Sequence, residues 1–394
     1  MNELTITPEI RAMLDAGAPV AFSVSGGKDG AAAALLVNKF LDEIGHPKER
    51  RMLIHADLGS IEWSDSLPSC ERLAKRLGLP LQVVRRNGGG MVERWLSRWQ
   101  SSIARYKTLS TVMVVSPWSS ATNRFCTSEL KIDPIGSAVK KWARTFAPTK
   151  DAPIALISVM GLRRAESAKR AKAPTISPFL KASLPKSGIN AFSWNPILTL
   201  SKEEVFQVHK DFDFPLHIGY GLGNERISCM FCVLAGINDL TVGANQPQAA
   251  AVYRLLAQLE VDSLFSFQGQ RWLATVNPEI LSGELRAQLV AAIRRAEKRR
   301  EIESVIPKEL HYVKGWPTRL PTLAEAEIIS TARNQIAELY GWDKSEMAGM
   351  TPQAVLARYQ QLMTAAANKA AGIKPVAGIA PLVESQELLE LEAA

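Results

Sequence analysis

Cysteine is scarce in this chain: four in 394 residues, at positions 70, 126, 229 and 232. In a reducing compartment so few thiols exclude a disulfide framework, and a Cys-x-x-Cys pair then reads as metal or redox chemistry. No run of about 18 apolar residues occurs, which excludes a helical membrane span. The opening MNELTITPEIRAML is polar and acidic, without the layout of a secretory signal. A cytoplasmic location is therefore expected, with no membrane partner. No internal repeat is visible.

What is present fits a soluble globular protein: 46% hydrophobic and 22% charged residues. The length allows two or three units at roughly 100–200 residues each. Lys and Arg number 47 against 39 Asp and Glu, a net charge of +8. That balance favours an anionic partner such as a nucleotide or nucleic acid.

The first part of the chain alternates between two periodicities. APVAFSVS (18–25), RRMLIHA (50–56), LPLQVVRR (79–86), STVMVVS (110–116), APIALISVMG (152–161) and FSWNPIL (192–198) read as strands. Helical patterns cover 30–40, 63–77, 91–106, 127–146 and the segment opening at TLSKEEVFQVH. This alternation predicts an α/β fold, a doubly wound and mostly parallel sheet with helices on both faces. Ligands of such sheets sit outside the carboxyl ends of the strands. SVSGGKDG, HADLG and SVMGLRR each stand at such an end. After about residue 240 only helical patterns remain. The expected division is 1–240, a nucleotide-binding domain that includes the cysteine pair; 241–370, a helical region; and 371–394, a disordered tail.

SGGKDG (25–30) raises a question of charge. A Gly-Gly turn between strand and helix brings backbone N–H groups and a helix N-terminus toward an anion. The spacing is neither the Walker pattern nor the dinucleotide Gly-x-Gly-x-x-Gly. Asp29 would repel a phosphate held there unless a cation intervened, and Mg²⁺ bridging carboxylate and phosphates is the usual solution. The alternative is a plain turn in which Asp29 complements the helix dipole. Downstream, Arg163, Arg164, Lys169 and Arg170 crowd the segment after a buried strand. If 164–172 is helical, Glu166 pairs with Arg170 at i, i+4, leaving Arg163 and Arg164 to face the cleft. Arginine suits phosphate because its planar fork bonds two oxygens.

SGGKDG resembles the pyrophosphate loop, SGGxDS, of the adenine nucleotide alpha hydrolase superfamily. HADLG (55–59), FCTSELKIDPI (125–135), GLRRAESAKR (161–170) and NPILTLSKEEVF (195–206) are similar, in the same order, to motifs of its phosphoadenosine phosphosulfate (PAPS) reductase branch. The resemblance covers roughly 15–235. It implies an ATP pyrophosphatase in which Ser23, Ser25, Gly26, Gly27, Lys28, Asp29 and Gly30 surround ATP. Asp29 would hold Mg²⁺, Asp57 metal or ribose, and Arg163, Arg164 and Arg170 the anionic end of the nucleotide. Lys28, Asp29 and Arg163 are the expected catalytic groups. Two departures stand out. Gly30 replaces the hydroxyl residue usual in the family, and no cysteine follows Cys232, so PAPS-reductase chemistry on a tail cysteine is not expected.

Cys229 and Cys232 in SCMFCVLAG are close enough to share a metal, and the resemblance implies Cys126 as a third ligand of a [4Fe–4S] cluster. Such a cluster normally takes four thiolates. Cys70 is the remaining candidate, although its mid-helix position suits an ordinary buried residue. Zinc, with His217 or His209 as nitrogen ligand, is the competing occupant, and two unliganded thiols are the third possibility. Tyr220 and Arg226 offer anion contacts. In the helical region, Arg294, Arg295, Lys298, Arg299 and Arg300 could meet a phosphate backbone, and Trp272, Trp316 and Tyr312 could stack on bases.

The resulting expectation is an enzyme that adenylates an acceptor on nucleic acid, DNA or tRNA, for sulfur insertion. The sulfur donor would be a partner such as a cysteine desulfurase. The described role nearest to this is the sulfur-inserting subunit of DNA phosphorothioation. The alternatives are a sulfonucleotide reductase working through an external thiol carrier, and a non-catalytic nucleotide- or nucleic-acid-binding protein.

Overall fold

The computed structural model describes residues 4–371, so the tail expected over 371–394 lies, from 372 on, outside the described residues. Six strands build one sheet: β1 (Val20–Ser23), β2 (Arg51–Ala56), β3 (Leu81–Val84), β4 (Ile154–Met160), β5 (Ile176–Pro178) and β6 (Ile189–Trp194). Their order is β3-β2-β1-β4-β6-β5. All neighbours pair in parallel except β5, which runs antiparallel to β6 at the edge. β5 escaped the sequence reading because three residues that include a proline carry little signal, and an edge is where a strand tolerates proline.

Alternation along each strand separates two apolar layers. Val20 and Phe22 of β1 join Leu53, Ile157 and Val159 on one face, while Ala21 joins Met52, Ile54 and Leu156 on the other. Each fully buried Val, Leu, Ile or Phe stabilises by about 1.5–3 kcal/mol. The first layer is covered by α1 (Pro8–Asp15), α2 (Lys28–Glu43), α3 (Ser66–Leu77) and, further along the chain, Lys202–Asp211. The chain continues through α4 (Met91–Lys107), α5 (Phe125–Thr127) and α6 (Asp133–Ala143), which carries Val139 and Ala143 of the second layer. Pro134 cannot donate a backbone hydrogen bond, and one wide turn at Ser128–Ile132 joins α5 to α6. Then come α7 (Ala168–Ala171), α8 (Lys202–Asp211), α9 (Ile218–Gly221) and α10 (Ile237–Ala244).

Two structural units result. The first joins residues up to Glu93 with Ala121–Val252; the second joins Arg94–Ser120 with the chain from Tyr253 on. This differs from the expected division at 240. The physical reason is aromatic packing inside the second unit: Trp95 meets Phe267 at 5.7 Å, Trp99 meets Tyr340 at 6.0 Å, and Tyr106 meets Trp342 at 5.7 Å between ring centres. The second unit also holds α11 (Ala250–Ser263), apart from its first residues, α12 (Gly283–Ser304), α13 (Leu323–Tyr340) and α14 (Pro352–Ala370). The strand expected over 110–116 does not form. Its backbone donors go to side chains instead, Val114 N–H to Glu303 Oε1 at 2.8 Å and Val115 N–H to Ser102 Oγ at 2.8 Å. Among the described residues no helix is long and apolar enough to cross a membrane.

Candidate nucleotide and thiol site

β1 ends at Ser23 and turns through Val24–Gly27 into α2. Gly26 has a φ of +77°, and a Cβ there would stand 2.9 Å from the Ser66 carbonyl oxygen, so both conformation and space demand glycine. Gly27 caps α2 without a side-chain hydrogen bond, so no side chain of the cap occupies the helix's positive end. The Lys28 N–H donates to the Tyr220 hydroxyl at 3.3 Å. Ser25 Oγ lies 3.9 Å from the Cβ position of Gly27. Ser23 turns to the neighbouring strand, its Oγ 3.3 Å from Ser158 Oγ.

Asp29 lies between two buried cations. Lys28 Nζ is 2.6 Å from its Oδ2 and Arg163 Nε 2.5 Å from its Oδ1, with Lys28 only 3% and Arg163 5% exposed. Burial pushes the Lys28 ammonium below its ordinary range, against the opposing pull of Asp29. Gly161 makes this meeting possible. A Cβ on it would fall 2.3 Å from the Asp29 carbonyl, so only glycine lets the chain leaving β4 come this close to the loop. The Arg163 N–H donates to Glu166 Oε2 at 2.9 Å, and Glu166 also pairs with Arg170 as expected. The helix expected over 164–172 is broken in two: a single turn at Arg164–Glu166, then α7, with Ser167 extended between them and capping Arg170 N–H. Arg164 is exposed, whereas Arg163 is buried against Asp29.

At the end of β2, Asp57 Oδ1 accepts the Gly59 N–H at 2.7 Å and its Oδ2 lies 3.7 Å from Arg85 Nε. His55, fully buried, has Nδ1 3.0 Å from the Val24 carbonyl oxygen and Nε2 3.2 Å from Glu62 Oε2. Burial alone would lower its pKa, but Cys70 and Glu62 outweigh it and raise it to about 10. Neither His55 nor Glu62 was singled out from sequence.

The cysteine segment adjoins the Gly-Gly loop: the Ile227 carbonyl oxygen lies 3.8 Å from the Cβ position of Gly27. The Met230 N–H donates to the Ile61 carbonyl at 2.9 Å, tying the Cys-x-x-Cys segment to the turn after β2. Burial pushes the Cys229 thiol up to about 12, opposed by Lys131 and reinforced by Cys232, Glu62 and Cys126. Lys131, which the structure adds to the site, is the lysine of the quoted FCTSELK stretch. Cys70 is elsewhere: it is buried in the sheet's first apolar layer with Sγ 3.7 Å from His55 Nδ1. The two histidines considered for zinc are engaged locally. His209 sets Nε2 2.9 Å from the Lys28 carbonyl and Nδ1 3.2 Å from that of Phe214, and His217 Nδ1 accepts the Gly219 N–H at 3.0 Å.

Three thiols within one electrostatic neighbourhood suit iron or zinc chemically. Yet no three His, Cys, Asp or Glu side chains among the described residues converge closely enough to hold a metal ion. As arranged, the residues do not fit a cluster.

In the second unit, the basic run on α12 is partly internal. Arg299 is buried, paired with Glu303 at 2.7 Å and lying 3.6 Å from the Phe265 ring centre. Trp272 is buried too, and half-buried Trp316 donates its indole N–H to the Leu310 carbonyl at 3.0 Å.

An uncharacterized protein of Methanocaldococcus jannaschii is 26% identical over 213 residues, 54% of this chain and 41% of that protein, so the chain spans less than half the length of this relative. The crystal structure of a PAPS reductase from Candida auris in complex with phosphate covers 58% of this chain and 97% of its own, at 14% identity and a TM-score of 0.33. The family model for the phosphoadenosine phosphosulfate reductase domain matches residues 19–235. That match takes in the loop, the arginine turn and the cysteine pair, and across more than half of its length the chain belongs to the PAPS reductase family of nucleotide-using enzymes.

Proposed function

We propose that the protein is an ATP pyrophosphatase that adenylates an acceptor oxygen on nucleic acid and serves its replacement by sulfur. One observation carries this reading: the Gly-Gly loop and the thiol segment meet, with the Ile227 carbonyl oxygen 3.8 Å from the Cβ position of Gly27 and Tyr220 receiving the Lys28 N–H. The turn at Ser25–Lys28 and the positive end of α2 hold phosphate oxygens, and Lys28 and Arg163 balance charge that builds on the departing pyrophosphate. Mg²⁺, when bound, would neutralise phosphate charge beside Asp29. The acceptor oxygen attacks the α-phosphorus, the α–β phosphoanhydride breaks, and its electron pair leaves with pyrophosphate.

Sulfur reaches the thiols as a persulfide from a partner such as a cysteine desulfurase. Its terminal sulfur displaces AMP from the adenylated centre. A second thiol among Cys126, Cys229 and Cys232 then frees the thiolated product, leaving a disulfide for an external dithiol to reduce. The net charge of +8 supports a polyanionic acceptor.

ATP–pyrophosphate exchange tests the reading. Exchange that depends on added tRNA or DNA, and is lost in Arg163→Ala, is expected. No exchange with either acceptor, together with sulfite release from PAPS, would replace it with a sulfonucleotide reductase.

A further inference from the structure

Among the described residues, the second unit contains buried donors without acceptors. Arg333 on α13 is fully buried. Its Nε donates to the Ala348 carbonyl at 2.9 Å and its Nη2 to the Lys107 carbonyl at 3.2 Å, at the end of α4. These carbonyls, and the partial negative charge at a helix C-terminus, offset part of the guanidinium's charge. Nη1 has no partner. The guanidinium lies 4.6 Å from the ring centre of Tyr106, and the hydroxyls of Tyr106 and of Tyr359 on α14 are likewise buried without a hydrogen bond. The Cβ position of Gly349 lies 3.4 Å from Arg333 Nε and 3.3 Å from Val355 Cγ2, one helical turn before Tyr359 on α14. Burial holds both phenols well above their usual range, so neither supplies a counter-charge.

The neighbouring carboxylates are committed elsewhere. Glu303 accepts from Val114 N–H and Arg299, and Glu325 from Arg319 and Thr322 N–H. Arginine keeps its proton, and a buried ion without an opposite charge costs several kcal/mol. One water could accept from two of the three donors but brings no charge. We propose that Arg333 Nη1 and the hydroxyls of Tyr106 and Tyr359 bind a small monovalent anion of the chloride class inside the second unit. The site is independent of the nucleotide site and makes the stability of the helical region respond to anions.

The test is thermal unfolding of the full chain at constant ionic strength, with chloride replacing gluconate. A bound anion stabilises by mass action, so the melting temperature should rise by about 2–4 °C once chloride exceeds its dissociation constant about fivefold. Arg333→Met removes both the charge and the response, and subtracts the general salt effect. Tyr359→Phe, a milder change, keeps the fold and weakens the response, so the test survives if Arg333→Met does not fold. An equal melting temperature of the unaltered protein in both salts would overturn the proposal. So would an undiminished chloride response in either variant.

Discussion

Buried arginine is treated differently in the two units. In the first, Arg163 reaches across 134 residues of sequence to Asp29, at a loop whose helix end has no side-chain cap. In the second, Arg299 is matched by Glu303 four residues away, and Arg333 has two carbonyls and, among the described residues, no carboxylate. A cation pair sharing one carboxylate at a ligand-facing turn leaves net positive charge where a phosphate can use it. A cation closed into a helical core needs its compensation inside. On the proposed function, position relative to the strand ends separates an arginine that serves a ligand from one that serves the fold.

Breaking the Arg299 pair should have the largest effect on stability. Glu303→Ala leaves a buried guanidinium and the Val114 N–H unsatisfied, and should cost about 3–5 kcal/mol, read from the denaturant midpoint. Gly161→Ala sharpens the other side of the comparison. It drives a Cβ into the Asp29 backbone, with an expected loss of about 1–3 kcal/mol and a fall in nucleotide affinity, since Arg163 can no longer reach the loop. Calorimetry on the folded variant separates the two effects.

The His55–Glu62 pair should give the first unit a pH signature. Against burial, Cys70 first and Glu62 second raise the folded-state pKa of His55 from its ordinary 6.5 to about 10. The protonated pair's stabilisation is therefore complete below pH 6.5 and lost as pH rises through 10. Urea midpoints at pH 6, 8 and 10 should fall more steeply in the unaltered protein than in Glu62→Gln. Gly30→Ser should do least. The added Cβ meets only ordinary contacts, the nearest 3.7 Å away, so stability should change by no more than about 0.5 kcal/mol. Any effect should appear in nucleotide affinity.

Much of the first unit was legible because parallel strands and short turns are written locally: short continuous apolar runs, then SGGKDG or GLRR at a strand end. Asp29 and Arg163 could each be chosen from sequence, but their ion pair could not, because it depends on Gly161 permitting contact between distant segments. His55 and Glu62 gave no spacing signal, and Lys131 was readable only within its cysteine stretch. In the second unit STVMVVS has every local mark of a strand. What overrides it is Glu303 and Ser102 taking its N–H groups, a choice made by tertiary contact.

The most direct test of the central claim, that the turn after β1 binds ATP through Arg163, is calorimetric titration of Mg-ATP and of PAPS into the unaltered protein and Arg163→Ala. ATP binding in preference to PAPS, weakened at least about tenfold in the variant by loss of a charge-assisted phosphate contact, is the predicted result. PAPS binding without ATP binding, or ATP binding that the substitution leaves unchanged, would contradict it.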